Sequence, residues 1–592
     1  MREQLKQLRQ AMAVQGLSMY IVRDVDDHAS EYVASCYKQM EYVSGFSGGD
    51  GTLLATADKG YLWTDGRYFI QAANELKGSG VELMRMAQPG VPTIYEFIAK
   101  HLLPGQKLGA CADYMSAGEG RRLRQLCHDL QAEFVATDDL VGAFWQSRPA
   151  APAGKVFLLE DKYAGQSVKA KLTRLRKAMA ANGAQALLLG SLDDIAWLCN
   201  FRGDDIPYWP VCLAYALVTA DGCQLFFDLA KAGEHDVASL AKKGITAQPY
   251  DQVATACRHL PAGTVIQFDS RRINCRLLKA LGRHRLIDAV DPTVIMKSVK
   301  NDVEIANLKL ANIYDGAAVT KLMYWLKHDT GAKTELSVTD RLLQLRRQQP
   351  YYIEDSFSTI TAFGPNGAMM HYNPAHGDNA AIGQGLLLID SGGQYYLGTT
   401  DITRTFVMGS VTPEMKADFT RVLKAHLDLS MARFLEGIHG YNLDILAREP
   451  MWAVGLDYKC GTGHGVGYLS NVHEGPQGFR YNIVPERSDN AAFEVNMVTT
   501  IEPGIYKEGR YGIRHENDVV CVDAGTTADG HFLAFEPLTL CPFDRDGIDA
   551  SQLSADEVDY LDKYHQRVYD RLSPLMDEDE KEWLKQATRP LI

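Results

Sequence analysis

Apolar residues recur at helical spacing in LRQAMAV, stop at Gly16, and give way to the apolar run LSMYIV. That order predicts an amphipathic helix, a glycine stop and a strand. The same pattern returns 167 positions later, where LRKAMAANGAQALLL (Leu175 to Leu189) matches LRQAMAVQGLSMYIV (Leu8 to Val22). Each copy is followed by apolar runs broken at Gly and Asp, GTLLATADKGYLWTDGRYF in the first and VCLAYALVTADGCQLFFD in the second. A repeated helix–strand unit with such turns predicts two related α/β domains.

The proline-bearing stretch SRPAAPAG (Ser147 to Gly154) reads as the linker between them. A second boundary falls near DPTVIMKSVKND, after which helical spacing runs from about Asp302 to Lys327. Beyond it, glycine-flanked strands such as GQGLLLIDSGGQYY alternate with helical patterns such as MKADFTRVLKAHLDLSMARFLEG. Surface helices are expected over the last forty or so residues. The expected architecture is two small α/β domains, residues 1–150 and 155–297, and a larger α+β domain over 298–592 that ends in a helical extension.

Composition changes this picture little. A chain of 592 residues with 46% apolar and 23% charged residues is an ordinary globular protein of several domains. Its net charge of −13 is spread without blocks, which argues against a nucleic-acid surface. Eleven scattered cysteines with no CxxC pair are the pattern of reduced thiols rather than a disulfide framework or a zinc–cysteine site. The N-terminus lacks the apolar core of a signal peptide, and no uncharged apolar run reaches membrane-spanning length. The expected home is the cytoplasm, with no membrane partner.

Candidate chemistry gathers in the last third. In LLLIDSGGQYYLGTTDITRTF an apolar strand ends at Asp390, a Gly-Gly turn follows, and the returning strand carries Asp401, so both carboxylates can aim at one point. The glycine-rich GTGHGVGYLSNVHEGP projects His464 and His473 from a tight loop. In VTTIEPGIYKEGRYGIRHENDVVCV, Glu502 ends an apolar strand, while Arg514 and Glu516 share a strand face and His515 points away. Each carboxylate alone reads equally as a turn former or half of a salt bridge. Together, Asp390, Asp401, Glu502 and Glu516 supply −4 against the +4 of two divalent cations, with His464 as a neutral fifth donor. Oxygen-rich ligation with one imidazole suits Mn²⁺, then Co²⁺ or Fe²⁺, better than Zn²⁺. Two such ions about 3.5 Å apart activate a shared water and polarise a carbonyl.

In these contexts the order Asp, Asp, His, Glu, Glu resembles the metallopeptidases of the pita-bread fold, which include methionine aminopeptidase, prolidase and aminopeptidase P. Within them, TAFGPNGAMMHYNP, LLLIDSGGQYYLGTTDITRT, GTGHGVGYLSNVHEGP and TIEPGIYKEGRYGIRHEND look like the long, three-domain aminopeptidase P group. DDHASEYV, EYVSGFSGGDGTLLAT and LWTDGRYFIQA resemble its first domain, and WLCNFRGDDIPYWPV its second. The resemblance implies two creatinase-like α/β domains before a pita-bread catalytic domain, and a homodimer formed through the latter. It implies removal of the N-terminal residue from peptides with proline second, by attack of a hydroxide held between the metals.

By position, it assigns Asp390 to one metal and His464 with Glu502 to the other, with Asp401 and Glu516 bridging. Glu502 also handles the proton, His473 meets the scissile carbonyl or oxyanion, and His371 meets the substrate or tetrahedral intermediate. Arg514 holds the carboxylates. Many relatives have a further His four residues before the metal-binding one, where this chain has Cys460, read here as pocket wall. His376 and His515 read as structural or peripheral. The rival readings are an Xaa-Pro dipeptidase on the same fold, a creatinase-like enzyme without metals, and a non-enzymatic pita-bread binding module. The retained ligand set argues against the last two.

Overall fold

The computed structural model describes residues 2–375, 377–483 and 489–592. The chain divides into two compact units, one of residues 1–160 with 166–294 and one of residues 161–165 with 295–592.

The first unit holds the repeat. Helix α1 (Glu3–Val14) buries Leu5, Leu8 and Met12 and leads to β1 (Met19–Val22). Strands β2 (Thr52–Thr56), β3 (Gly60–Thr64), β4 (Val81–Arg85), β5 (Lys107–Cys111) and β6 (Glu133–Thr137) complete a mixed sheet of order β4-β3-β2-β1-β5-β6. Helix α2 (Val168–Ala181) leads to β7 (Ala186–Leu189), followed by β8 (Ala214–Thr219), β9 (Cys223–Phe227), β10 (Thr246–Pro249), β11 (Val265–Phe268) and β12 (Arg285–Asp288). Their order, β10-β9-β8-β7-β11-β12, is the first sheet's order over again. The repeated helix and glycine stop thus mark repeated topology. β1 and β7 are buried along their whole length, as central strands covered on both faces must be.

The second unit opens with α3 (Asp302–His328), 27 residues started by a reciprocal cap. Asn301 Oδ1 accepts from the Val303 and Glu304 amides, and the Glu304 carboxylate accepts from the Asn301 amide. Helix α4 (Glu335–Arg347) follows. Strands β13 (Ile360–Phe363), β14 (Gly385–Ser391) and β15 (Ile402–Met408) form an antiparallel sheet with β14 central and buried throughout, which the run LLLI anticipates. Next come α5 (Pro413–Ser430), β16 (Arg433–Leu435), α6 (Gly440–Trp452), β17 (Gly463–Gly465), β18 (Glu474–Phe479) and β19 (Val498–Ile501). After them come β20 (Gly504–Lys507), β21 (Tyr511–Arg514), β22 (Asn517–Thr527) and β23 (Gly530–Pro537). The larger sheet runs β16-β23-β22-β19-β17-β18, with β20 and β21 as a separate ladder.

The helical pattern expected through MARFLEG stops earlier. The helix ends at Ser430, and Arg433–Leu435 joins the sheet edge, burying only Phe434. Two terminal helices, α7 (Ala555–Leu572) and α8 (Glu578–Ala587), close the chain. They are not only surface: Leu561, Val568, Leu572 and Leu584 belong to the main core cluster.

Candidate metal centre

Asp390 lies near the end of β14 and pairs in register with Thr403 of β15. Asp401 precedes β15 by one residue, after a small hairpin of Gly393–Tyr395 with Gly398–Thr399. The two carboxylates are therefore offset by two residues toward the turn rather than directly opposite. His464 is the middle residue of β17, and its flanking glycines are required by space. A Cβ on Gly463 would sit 1.9 Å from the Thr500 carbonyl, and one on Gly465 2.0 Å from that of Glu474. Glu502 follows β19, and Glu516 lies between β21 and β22.

These elements bring the donors together. One ligand atom each of Asp401, His464 and Glu516 lies within 4.8 Å of the other two. His464 Nε2 is 3.5 Å from both Asp401 Oδ2 and Glu502 Oε1. Its Nδ1 is 3.0 Å from the Gly465 carbonyl, which can only accept, so the neutral ring carries its proton there and turns the Nε2 lone pair toward two carboxylates. Lone pairs facing one another call for a cation between them. Asp390 Oδ1 and Asp401 Oδ1 are buried without a hydrogen-bond partner, a costly state that metal ligation relieves. The donor set therefore fits divalent metal ions.

Supporting residues fix the carboxylates. Arg514 Nη2 donates to Asp390 Oδ2, Nη1 to the Tyr506 hydroxyl at 2.7 Å, and Nε to Thr403 Oγ1 at 3.2 Å. Thr403 Oγ1 in turn donates to Glu516 Oε2 at 2.6 Å. Thr500 Oγ1 accepts from the His464 amide at 3.1 Å and lies 3.4 Å from Glu502 Oε1. Asp518, fully buried, accepts the Asp401 amide on Oδ2 at 3.1 Å. Sequence reading missed Thr403, Thr500, Tyr506 and Asp518. Only the triplet Asp401-Ile402-Thr403, with Thr403 two residues along the same strand face, offered a signal.

Electrostatics follow from burial. Loss of water pushes the Asp401 carboxyl well above its ordinary value, and Asp390, Asp518 and Glu502 push it further. Burial likewise raises Glu516, with Asp401, Glu502 and Asp390 adding to it. For Arg514 burial works against the charge, but Tyr506, Asp390, Glu502 and Glu516 outweigh it and keep the guanidinium ionised. The Cys460 thiol is pushed up to about 12, by burial first and Glu502 second, so it stays protonated. Its carbonyl accepts from Arg448 Nη2 at 2.8 Å.

The His473 ring stands edge-on to His464, centroids 4.3 Å apart at 85°. His371 lies on the connection between β13 and β14. His515 is buried against Phe419 at 4.3 Å and Phe543 at 5.5 Å, on the face opposite its neighbours Arg514 and Glu516. His376 lies outside the described residues.

A buried cluster of carboxylates with one imidazole, on an α+β scaffold that follows two repeated α/β domains along the chain, defines a metal-dependent hydrolase. Residues 306–523 match metallopeptidase family M24, and 531–591 match the C-terminal region of that family. Residues 4–144 and 147–304 each match a creatinase/prolidase N-terminal domain. A probable Xaa-Pro aminopeptidase P of Laccaria bicolor is 36% identical over 100% of this chain and 93% of its own length. Aminopeptidase P2 of Arabidopsis thaliana is 38% identical over 97% and 86%. The crystal structure of an X-prolyl aminopeptidase from Caenorhabditis elegans, described as a cytosolic enzyme with a dinuclear active site, matches with a TM-score of 0.93 and 31% identity over 99% of both chains. An Xaa-Pro dipeptidase from Bacillus anthracis matches with a TM-score of 0.51 and 25% identity, over 64% of this chain and 99% of its own. The chain belongs to metallopeptidase family M24, with the pita-bread catalytic domain preceded by two creatinase-type domains.

Proposed function

We propose that the protein is an Xaa-Pro aminopeptidase holding two divalent metal ions, with Asp390, Asp401, His464, Glu502 and Glu516 as ligands. The observation that carries the metal reading is His464 Nε2 turned toward Asp401 and Glu502 beside the unpartnered oxygens of Asp390 and Asp401. The aminopeptidase reading is preferred to the dipeptidase because the C. elegans aminopeptidase matches both N-terminal domains as well as the catalytic one. We propose the domain limits 1–150, 155–297 and 298–592; the family matches support the order of the three domains.

An Xaa-Pro bond is a tertiary amide with no N–H for an extended-strand grip, so it needs a dedicated site. Bound metals supply Lewis-acid activation of water and of the scissile carbonyl. The chain's own groups do the rest. Glu502, beside the Thr500 hydroxyl, takes the water's proton and returns it to the departing proline nitrogen. His473 donates to the carbonyl oxygen as charge develops, and His371 holds the substrate. Arg514, tied to Asp390, Tyr506 and Thr403, keeps the carboxylates in place.

Mn²⁺ is the proposed metal, with Co²⁺ or Fe²⁺ as competitors, because the donors are mostly carboxylate oxygens. Cytoplasmic residence is supported by eleven free cysteines; among the described residues no helix is long and apolar enough to cross a membrane. A homodimer through the catalytic domain is supported by exposed Ile445, Trp452, Val454, Tyr481 and Ile483, with the Trp452 and Tyr481 rings 5.9 Å apart. Val454→Asp should then shift sedimentation from dimer to monomer, and an unchanged species would refute that interface.

The function is tested by chelating the protein, restoring Mn²⁺ and offering peptides with and without Pro second, including an Xaa-Pro dipeptide and an Xaa-Pro-Xaa tripeptide. Release of the first residue from the tripeptide alone supports the proposal. Cleavage of the dipeptide alone identifies a prolidase, and no cleavage with metal bound leaves a binding module.

A further inference from the structure

Glu335, the first residue of α4, is fully buried, and no cation among the described residues pairs with it. Its charge is met by four donors. Oε1 accepts from the Phe363 amide at 2.7 Å and Asn366 Nδ2 at 2.9 Å. Oε2 accepts from the Tyr372 hydroxyl at 2.7 Å and the Ala380 amide at 2.8 Å. All four donors belong to one stretch, residues 363–380, which runs from the last residue of β13 toward β14. The Glu335 amide also donates to the Ala380 carbonyl at 3.1 Å, and Asn366 Nδ2 to the Tyr372 hydroxyl at 3.0 Å. One carboxylate therefore gathers the start, the bend and the end of the stretch that carries His371.

That stretch is tied to elements of the candidate metal centre at two points. β13 leads into it, and Ile360 of β13 pairs with Asp390. Gly367 lies against β21, where a Cβ on Gly512 would come 1.7 Å from the Gly367 carbonyl, two residues before Arg514. None of the four donors is a proposed metal ligand. The direct contacts of Glu335 are thus to this stretch and not to the proposed metal ligands. We infer that Glu335 is a positioning residue for hydrolysis, fixing the 363–380 stretch so that His371 meets the substrate; this rests on the peptidase reading above.

Glutamine is the informative substitution. It keeps the shape but turns an N–H₂ toward two donors. Whichever way it faces, one backbone N–H, of Phe363 or Ala380, meets another donor, although Tyr372 or Asn366 can reorient. Glu335→Gln in the Mn²⁺-loaded full chain should lower kcat/KM for an Ala-Pro-Ala type peptide by about 10–100-fold, the loss of one or two charge-assisted hydrogen bonds. Bound metal should stay at the parent level. Tyr372→Phe, which removes a single donor, should show a smaller loss in the same direction.

The deciding measurement is the double variant. If Glu335 works through His371, then Glu335→Gln with His371→Ala should be no slower than His371→Ala alone, within about twofold. Losses that multiply, metal content that falls in step with activity, or kinetics like the parent's in Glu335→Gln would each overturn the inference. Should Glu335→Gln not fold, Tyr372→Phe with His371→Ala makes the same cycle and decides it. A parent protein that cleaves no Xaa-Pro peptide would refute the peptidase reading itself, a failure distinct from these.

Discussion

The metal-free protein should be destabilised by its own centre. Asp401 and Glu516 present oxygens within 4.8 Å of each other, both buried. Two full charges at that separation repel by about 3.5 kcal/mol at an effective dielectric of ~20. Asp401→Asn removes that repulsion and turns an N–H₂ toward carboxylates. Allowing for partial protonation of the pair, a gain of about 2 kcal/mol is expected, or roughly 4 °C in Tm for a domain of this size. With Mn²⁺ present the sign should reverse, because a proposed ligand is lost and with it the stabilisation that bound metal gives the folded state.

The assay is thermal unfolding of parent and variant in chelator and in Mn²⁺. The raised carboxyls of Asp401, Glu516 and Asp518 lend stability below their unfolded values near 4, and it is lost as pH rises through the folded values. The buried histidines act oppositely. His426 and His565 are lowered to about 3 by burial, and His515 is also depressed, so their contribution is present above ~6.5 and lost as pH falls. Metal-free protein should therefore lose stability at both ends, and Asp401→Asn should flatten only the alkaline side. A variant that melts at or below the parent in chelator at pH 8 would refute the charge argument.

Glu502→Gln should abolish hydrolysis while leaving the chain folded; near-parent turnover with metal retained would remove Glu502 from the mechanism. His473→Ala should lower kcat by about two to four orders of magnitude, as loss of an oxyanion donor does, and unchanged steady-state kinetics would exclude that role. Arg448 is buried, bonded to Asp444 at 2.6 Å and to the carbonyls of Tyr458 at 3.0 Å and Cys460 at 2.8 Å. Asp444 also accepts from Thr462, whose carbonyl receives the Glu502 amide at 2.7 Å. Arg448→Met should thus cost about 3–5 kcal/mol by stranding Asp444 and weaken Mn²⁺ binding, read by denaturant unfolding and metal titration; intact metal affinity would separate this clamp from the centre.

Much of the architecture was legible along the chain because it is local. Helix periodicity, Gly16 and Gly183 as stops, and apolar strand runs are set by backbone and burial preferences over ten or fifteen residues, so the repeated domain could be seen without tertiary contacts. The helix over Asp302–His328 was likewise visible in its spacing. The expected helix through Phe434 failed where a sheet edge competed for a short segment whose own preference is weak. Asp390, Asp401, His464, Glu502 and Glu516 could be singled out only as a set: each alone has an ordinary structural reading, but four carboxylates and one imidazole at glycine turns and strand ends balance two divalent cations.

What only the fold decided is which groups meet. The lone pair of His464 faces Asp401 and Glu502 because Gly463 and Gly465 let β17 press against its neighbours, and because the Gly465 carbonyl takes the Nδ1 proton. Thr403, Thr500 and Asp518 are ordinary strand residues until pairing sets them behind the proposed ligands. Glu335 shows the limit most clearly. It opens an unremarkable helix, and its four partners lie 28 to 45 residues away. A buried charge met only by distant donors leaves no local pattern, since what selects it is the cost of leaving those donors and that charge unpaired in the assembled core.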